Sequence, residues 1–163
     1  MDIEYRHFKI LIFSILALLL AAFLGFIYFS AKESARTLGR TPVMVGGTTV
    51  AAEVVSSPLL RTRGLSGRRF LGELDGMLFV FERPSQETFW MKDMLIPIDI
   101  IWIRSRTVVG TAENLAPPPD GTPDAALSLY PSPVPVNQAL EVQAGFVKRH
   151  NIQPGDPVIV KTR

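Results

Sequence analysis

The sequence predicts a mainly β domain, a compact barrel-like or sandwich-like fold with one or two short helices, preceded by one transmembrane helix. Three observations point that way. Ile10 to Phe29, ILIFSILALLLAAFLGFIYF, is an uncharged apolar run. Beyond residue 41, short runs of β-branched and aromatic residues recur between Gly, Pro, Asn and Asp turn signals. Only two short segments in that region read as helix.

The resulting organisation is a tail over 1–9, an anchor over 10–29, a polar linker over 30–41 and a β-rich domain over 42–163. A helix of about 20 apolar residues spans the roughly 30 Å hydrocarbon core of a bilayer. Arg6 and Lys9 precede the run, while Tyr5 and Tyr28 lie close to its two ends, where interfacial aromatics sit. The run is longer than a signal-peptide core, and cleavage after Ala31 would place Phe29 at the −3 position. An uncleaved signal-anchor is therefore expected. Lys32, Arg36 and Arg40 follow it, so basic residues flank both ends and orientation stays open on charge alone.

Within the domain, TPVMVGGTTVAAEVV reads as a hairpin turning at Gly46-Gly47. SSPLLRTR opens a helix with Ser57 as N-cap and Pro58 at its first position, and Gly64 and Gly67 end it. GMLFVF and TFWMK are strands joined by the loop ERPSQE; IPIDIIWI and RTVVGTAENL follow, with a turn at Arg104-Ser105. ALEVQAG is a strand, FVKRHNI a short helix, and PGDPVIV a turn with a closing strand. Residues 116–138, APPPDGTPDAALSLYPSPVPVNQ, are expected to form a long surface loop without a regular ladder.

Composition excludes whole classes of chemistry. There is no cysteine among the 163 residues, hence no disulfide, thiol nucleophile or thiolate metal site. The net charge of +2, without basic runs, offers no nucleic-acid footprint. No P-loop, dinucleotide fingerprint or EF-hand spacing occurs. Gly64 to Gly67, GLSG, fails the nucleophile-elbow pattern, and outside the tail His150 is the only histidine. No metal and no cofactor is expected.

One stretch stands out. FWMKDMLIPIDIIWI, Phe89 to Ile103, sets Lys92, Asp93 and Asp99 among large apolar side chains. On a period-2 ruler Ile98, Ile100 and Trp102 share one face of the strand, and Asp99, Ile101 and Ile103 the other. A strand covered on both sides results, with Asp99 inside it. A buried carboxylate needs a cation, several donors or a raised pKa. Lys92 is the first candidate cation, with Arg61, Arg63, Arg68 and Arg69 as others. Either Asp99 belongs to a charged ligand site, or it holds the fold through an ion pair or backbone hydrogen bonds.

Gly64 to Ile103 resembles the core signature of a widespread prokaryotic family, domain of unknown function 192. The matching features are Gly64-Leu65, Arg68, Leu71, Gly76-Met77-Leu78-Phe79, Phe89-Trp90-Met91-Lys92 and Ile96-Pro97-Ile98-Asp99. Ala139 to Phe146 and Gly155-Asp156 extend it to nearly the whole domain. The resemblance implies a compact β-rich domain, often exported or membrane-anchored, and supplies no reaction. The proline-rich segment is longer than the connection typical of the family.

These readings converge on a membrane-anchored envelope domain, extracytoplasmic, acting as a ligand-binding or accessory module. Its candidate site comprises Arg68, Trp90, Lys92, Asp99 and Glu141. Its partners would be the lipid bilayer through the N-terminal helix and an envelope polymer or protein, with no nucleic acid. Two alternatives stand beside it. One is a hydrolase of an envelope polymer using Asp99 and Glu141 as acid and base; the other is a purely structural domain.

Overall fold

The computed structural model describes residues 12–25 and 39–161. Residues 12–25 form a helix, α1. Among the described residues no helix is long and apolar enough to cross a membrane. Both ends of the expected span, 10–11 and 26–29, lie outside the described residues, as do the tail and most of the linker.

The domain runs β1 (Arg40–Val45), β2 (Thr48–Val55), α2 (Pro58–Arg63), β3 (Asp75–Ser85), β4 (Thr88–Trp90), β5 (Ile98–Arg104) and β6 (Thr107–Leu115). It ends with β7 (Leu129–Pro131), β8 (Val136–Gln143), α3 (Phe146–Arg149) and β9 (Val158–Val160). Seven strands make one curled, half-barrel sheet in the order β6-β5-β8-β3-β2-β1-β9. Pairing is antiparallel except between β2 and β3, which run parallel from Ala51 opposite Asp75 to Val55 opposite Phe79. A parallel pair needs a crossover. Here it carries α2 and the glycine-containing loop behind it across one face of the sheet.

Local chemistry explains the joints. Gly46 and Gly47 take φ of 53° and 86°, as a two-residue primed hairpin requires. The β5–β6 turn falls on Ser105 and Arg106, both at positive φ, one residue later than expected. The Ser57 hydroxyl accepts from Leu60 N at 3.4 Å, and Pro58 opens α2 as expected. Asp93 sits at φ 55° in the turn before β5, where its carbonyl accepts from Gly67 N at 2.8 Å.

Each face of the sheet has its own core. Val43, Val50, Leu78, Ile101, Ile103, Leu140 and Val142 pack with Phe146 of α3 on one side. Met77, Phe79, Ile98, Ile100, Trp102 and Ala139 pack with Leu65, Leu71 and Met91 on the other. The period-2 reading of β5 is thereby met: Ile98 to Ile103 are all buried, and alternate residues enter different cores.

The proline-rich segment departs from its expectation. Its β7 pairs antiparallel with β4, Phe89 opposite Tyr130, as a separate two-stranded sheet. Pro131 lies at the end of that ladder, where its missing N–H does least harm. Ser132 then locks the corner: it is 2% exposed, its N donates to Glu87 O at 2.7 Å, and its hydroxyl accepts from Glu87 N at 3.2 Å. Sequence composition showed the prolines but not these long-range partners.

Candidate functional site

A cleft of about 250 Å³ opens between α2 with its following loop and the β4 edge. Glu141 of β8 and Phe79 of β3 lie in its floor, Phe89 and Trp90 come from β4, and Arg61 and Arg63 from α2. Strand alternation sets these directions. Phe89 turns inward and meets Phe79 and Trp102 edge-on, with centroids 4.9 and 5.1 Å away. Trp90, the next residue, is 45% exposed.

Glu141 is the unusual group. Register places Glu53, Met77, Glu141 and Ile100 side by side across β2, β3, β8 and β5, on one face. Glu141 is 5% exposed, and its Oε2 has no hydrogen-bond partner. Desolvation pushes its carboxyl up from the ordinary 4.5 to about 8, against a smaller opposing pull from the Arg68 charge. At neutral pH it is mainly a neutral acid, able to donate one hydrogen bond. Gly64 packs close by: a Cβ there would lie 3.3 Å from Phe79 Cζ and 3.8 Å from Glu141 Oε2.

Arg68 does not neutralise Glu141 directly. Its guanidinium forks onto Glu53, Nη1 to Oε1 at 2.8 Å and Nη2 to Oε2 at 2.5 Å. That hydrogen bonding raises the Arg68 pKa, with smaller contributions from the charges of Asp75 and Glu141. Glu53 went unremarked in the sequence, although a lone acid in TTVAAEVV is the same kind of anomaly as Asp99 in IPIDIIWI. Arg61 is also engaged, donating to Val80 O at 3.1 Å and lying 5.2 Å above the Phe81 ring centre.

The other expected site residues separate. Asp99 is fully buried on the opposite face, where Oδ1 accepts from Asn114 N at 2.8 Å and Oδ2 from Val147 N at 2.9 Å. It ties β6 and α3 to β5, the structural alternative, and does not line the cleft. Lys92 is not its partner. The turn at Asp93 carries Lys92 outward, and its ammonium pairs with Asp124 of the proline-rich segment, which raises the Lys92 pKa. Trp102 is 1% exposed in the core and offers no face to the cleft. Of the five candidates, Trp90 and Glu141 line the cleft, and Arg68 acts on Glu141 from beside it.

Residues 41–160 match the family model described as an uncharacterised conserved family, domain of unknown function 192. The chain belongs to that family. Two solved structures are similar to it. One is a protein of unknown function from Novosphingobium aromaticivorans DSM 12444, 32% identical, covering 72% of this chain and 83% of its own, with a TM-score of 0.65. Another, from Sinorhizobium meliloti 1021, is described as a candidate transcription regulator. It is 31% identical over 74% of this chain and 93% of its own, with a TM-score of 0.66. No curated protein matches the chain.

Proposed function

We propose that this domain is a ligand-binding module, held in the cell envelope by its N-terminal apolar run, with the cleft over Glu141 as its binding site. One observation carries the reading: a buried carboxyl with a free oxygen at the floor of an aromatic-walled cleft. An unpartnered buried polar atom is costly to a fold that gains nothing from it. Concave sites with a few convergent polar groups are where ligands bind. The bilayer partner rests on the apolar run Ile10 to Phe29, and the extracytoplasmic placement on the resemblance to a family often exported or membrane-anchored.

The hydrolase alternative, as framed on Asp99 and Glu141, loses its geometry, because those carboxyls lie on opposite faces of the sheet. The test of binding uses the full chain in a sugar-free detergent, labelled with 5-fluorotryptophan. Trp90 and Trp102 are its two tryptophans, one exposed and one buried, so the fluorine signals separate. A panel of neutral, cationic and anionic fragments should move the Trp90 signal, and Glu141→Leu should remove the response. A silent Trp90 signal across the panel would overturn the reading. Compartment-specific reporters fused to the C-terminus test the placement; activity of a cytoplasmic reporter would overturn it.

A further inference from the structure

The cleft limits its ligand in size, charge and shape. Its volume, about 250 Å³, lies below the roughly 300–1,000 Å³ of sites for drug-sized ligands and suits a single ring with one substituent. Charge disfavours a cation at the floor: Arg61 and Arg63 line the cleft, and Arg68 stands beside Glu141. An anion is disfavoured there too: Arg68 is committed to Glu53 and Arg61 to Val80 O, so neither is free to neutralise a charge set beside the Glu141 carboxyl. What remains is a neutral hydrogen-bond acceptor that brings a small apolar tip past Gly64 and against Phe79. The mouth asks for something different. Trp90 presents an exposed aromatic side chain beside Thr88, Glu87 and Arg63, a mixture that suits a ring with one apolar face and a polar rim.

We propose that the cleft binds an N-acetylated amino sugar, its acetamido carbonyl accepting a hydrogen bond from the Glu141 carboxyl and its ring lying on Trp90. The acetamido group is neutral, supplies the acceptor and ends in a methyl group for the pocket beside Phe79. The proposal rests on the ligand-binding reading above and adds to it the chemical class of the ligand. Ionising Glu141 removes the donated proton, so binding weakens as pH rises through its titration. The charged groups around it are Arg68 and, behind it, Glu53 and Asp75; Arg61 and Arg63 from α2; and Glu87 from the β3–β4 turn.

The experiment follows the same Trp90 fluorine signal while N-acetylglucosamine, glucosamine and glucose are titrated separately into the full chain. Measurements are made at about pH 6 and about pH 9.5, either side of the Glu141 titration near 8. N-acetylglucosamine should bind at the lower pH, at least tenfold more tightly than glucose or glucosamine, and at least tenfold more weakly at the higher pH. Glu141→Gln keeps a donor and should bind with no pH dependence; Trp90→Ala should not bind. Glucosamine binding as well as its acetylated form, or binding that strengthens at high pH, would overturn the proposal. If no sugar moves Trp90 while fragments of the panel do, the sugar is wrong and the binding module stands. If nothing moves it, both fall.

Discussion

Glu141 pairs across the sheet with Ile100, and Asp99, one residue earlier on β5, pairs with Val142. The two buried acids of the described residues are therefore neighbours in register and face opposite cores. Both oxygens of Asp99 are satisfied by backbone N–H groups, whereas Glu141 has a free oxygen. Two acids on adjacent strands thus serve different ends.

Asp99→Asn should destabilise strongly. The amide sets an NH2 against one of two backbone N–H donors and leaves that donor unsatisfied without water to replace it. A loss of about 2–4 kcal/mol is expected from charge-assisted and buried hydrogen bonds of this kind. Urea unfolding of the full chain measures it, and the cleft's ligand response should persist in the folded fraction.

Glu141→Gln should behave in the opposite way. The native carboxyl titrates near 8, against an ordinary value of 4.5 in the unfolded chain. Between those values the folded state holds more protons, so stability falls as pH rises. The contribution is fully present below about pH 4.5 and lost by the time pH passes about 8, several kcal/mol at most. Unfolding free energies from pH 5 to 9 should decline in the native chain and decline less in Glu141→Gln.

Arg68→Met removes the fork onto Glu53, whose side chain is 15% exposed. A half-buried acid left without its cation should lower stability by about 1–3 kcal/mol. It also removes the nearest positive charge from Glu141, so the Glu141 titration, followed by carboxyl NMR shifts, should move further up. Arg68→Lys should fall between, since an ammonium cannot reproduce the two parallel hydrogen bonds.

Lys92→Met should leave the unfolding midpoint unchanged. Its ion pair with Asp124 lies in solvent, where screening and side-chain entropy cancel most of the attraction. Combined with Asp99→Asn, its effect should simply add, whereas a direct Lys92–Asp99 pair would make Lys92→Met costly alone and the double variant strongly non-additive.

Gly76→Ala should be among the most damaging changes. The added Cβ would stand 2.7 Å from Glu141 O and 2.9 Å from Val50 Cγ1, so β3 and β8 would have to separate. Losses of about 3 kcal/mol or more are expected from overpacking at a backbone contact. Thermal unfolding checks this.

Much of the fold was legible because it rests on local rules. The Gly46-Gly47 hairpin, the Ser57-Pro58 helix start and the two-faced β5 all follow from turn chemistry or period, and all appear where the residues indicated. What could not be read depends on which strand lies beside which. Lys92 was matched to Asp99 because they are close in sequence, while the turn at Asp93 sends them apart. The proline-rich segment concealed β7 because a three-residue strand has no periodic signature of its own. Arg68 and Glu141 were visible as candidates, but their link through Glu53 requires the parallel register of β2 and β3.

The strand order carries one more consequence, for biosynthesis. β8 lies between β3 and β5 and, among the described residues, joins the β1–β2–β3 half of the sheet to the β5–β6 hairpin along its middle, while residues 155–158, running into β9 beside β1, bond to Arg106 and Val108 at the far side. A nascent chain that has not reached Val136 holds two separate open-edged sheets, each with an unpaired row of backbone groups. Closure therefore waits for the last part of the chain to leave the ribosome or the translocation channel. Fragments truncated before β8 should aggregate through those edges, and the domain depends on whatever shields them until its final strands arrive.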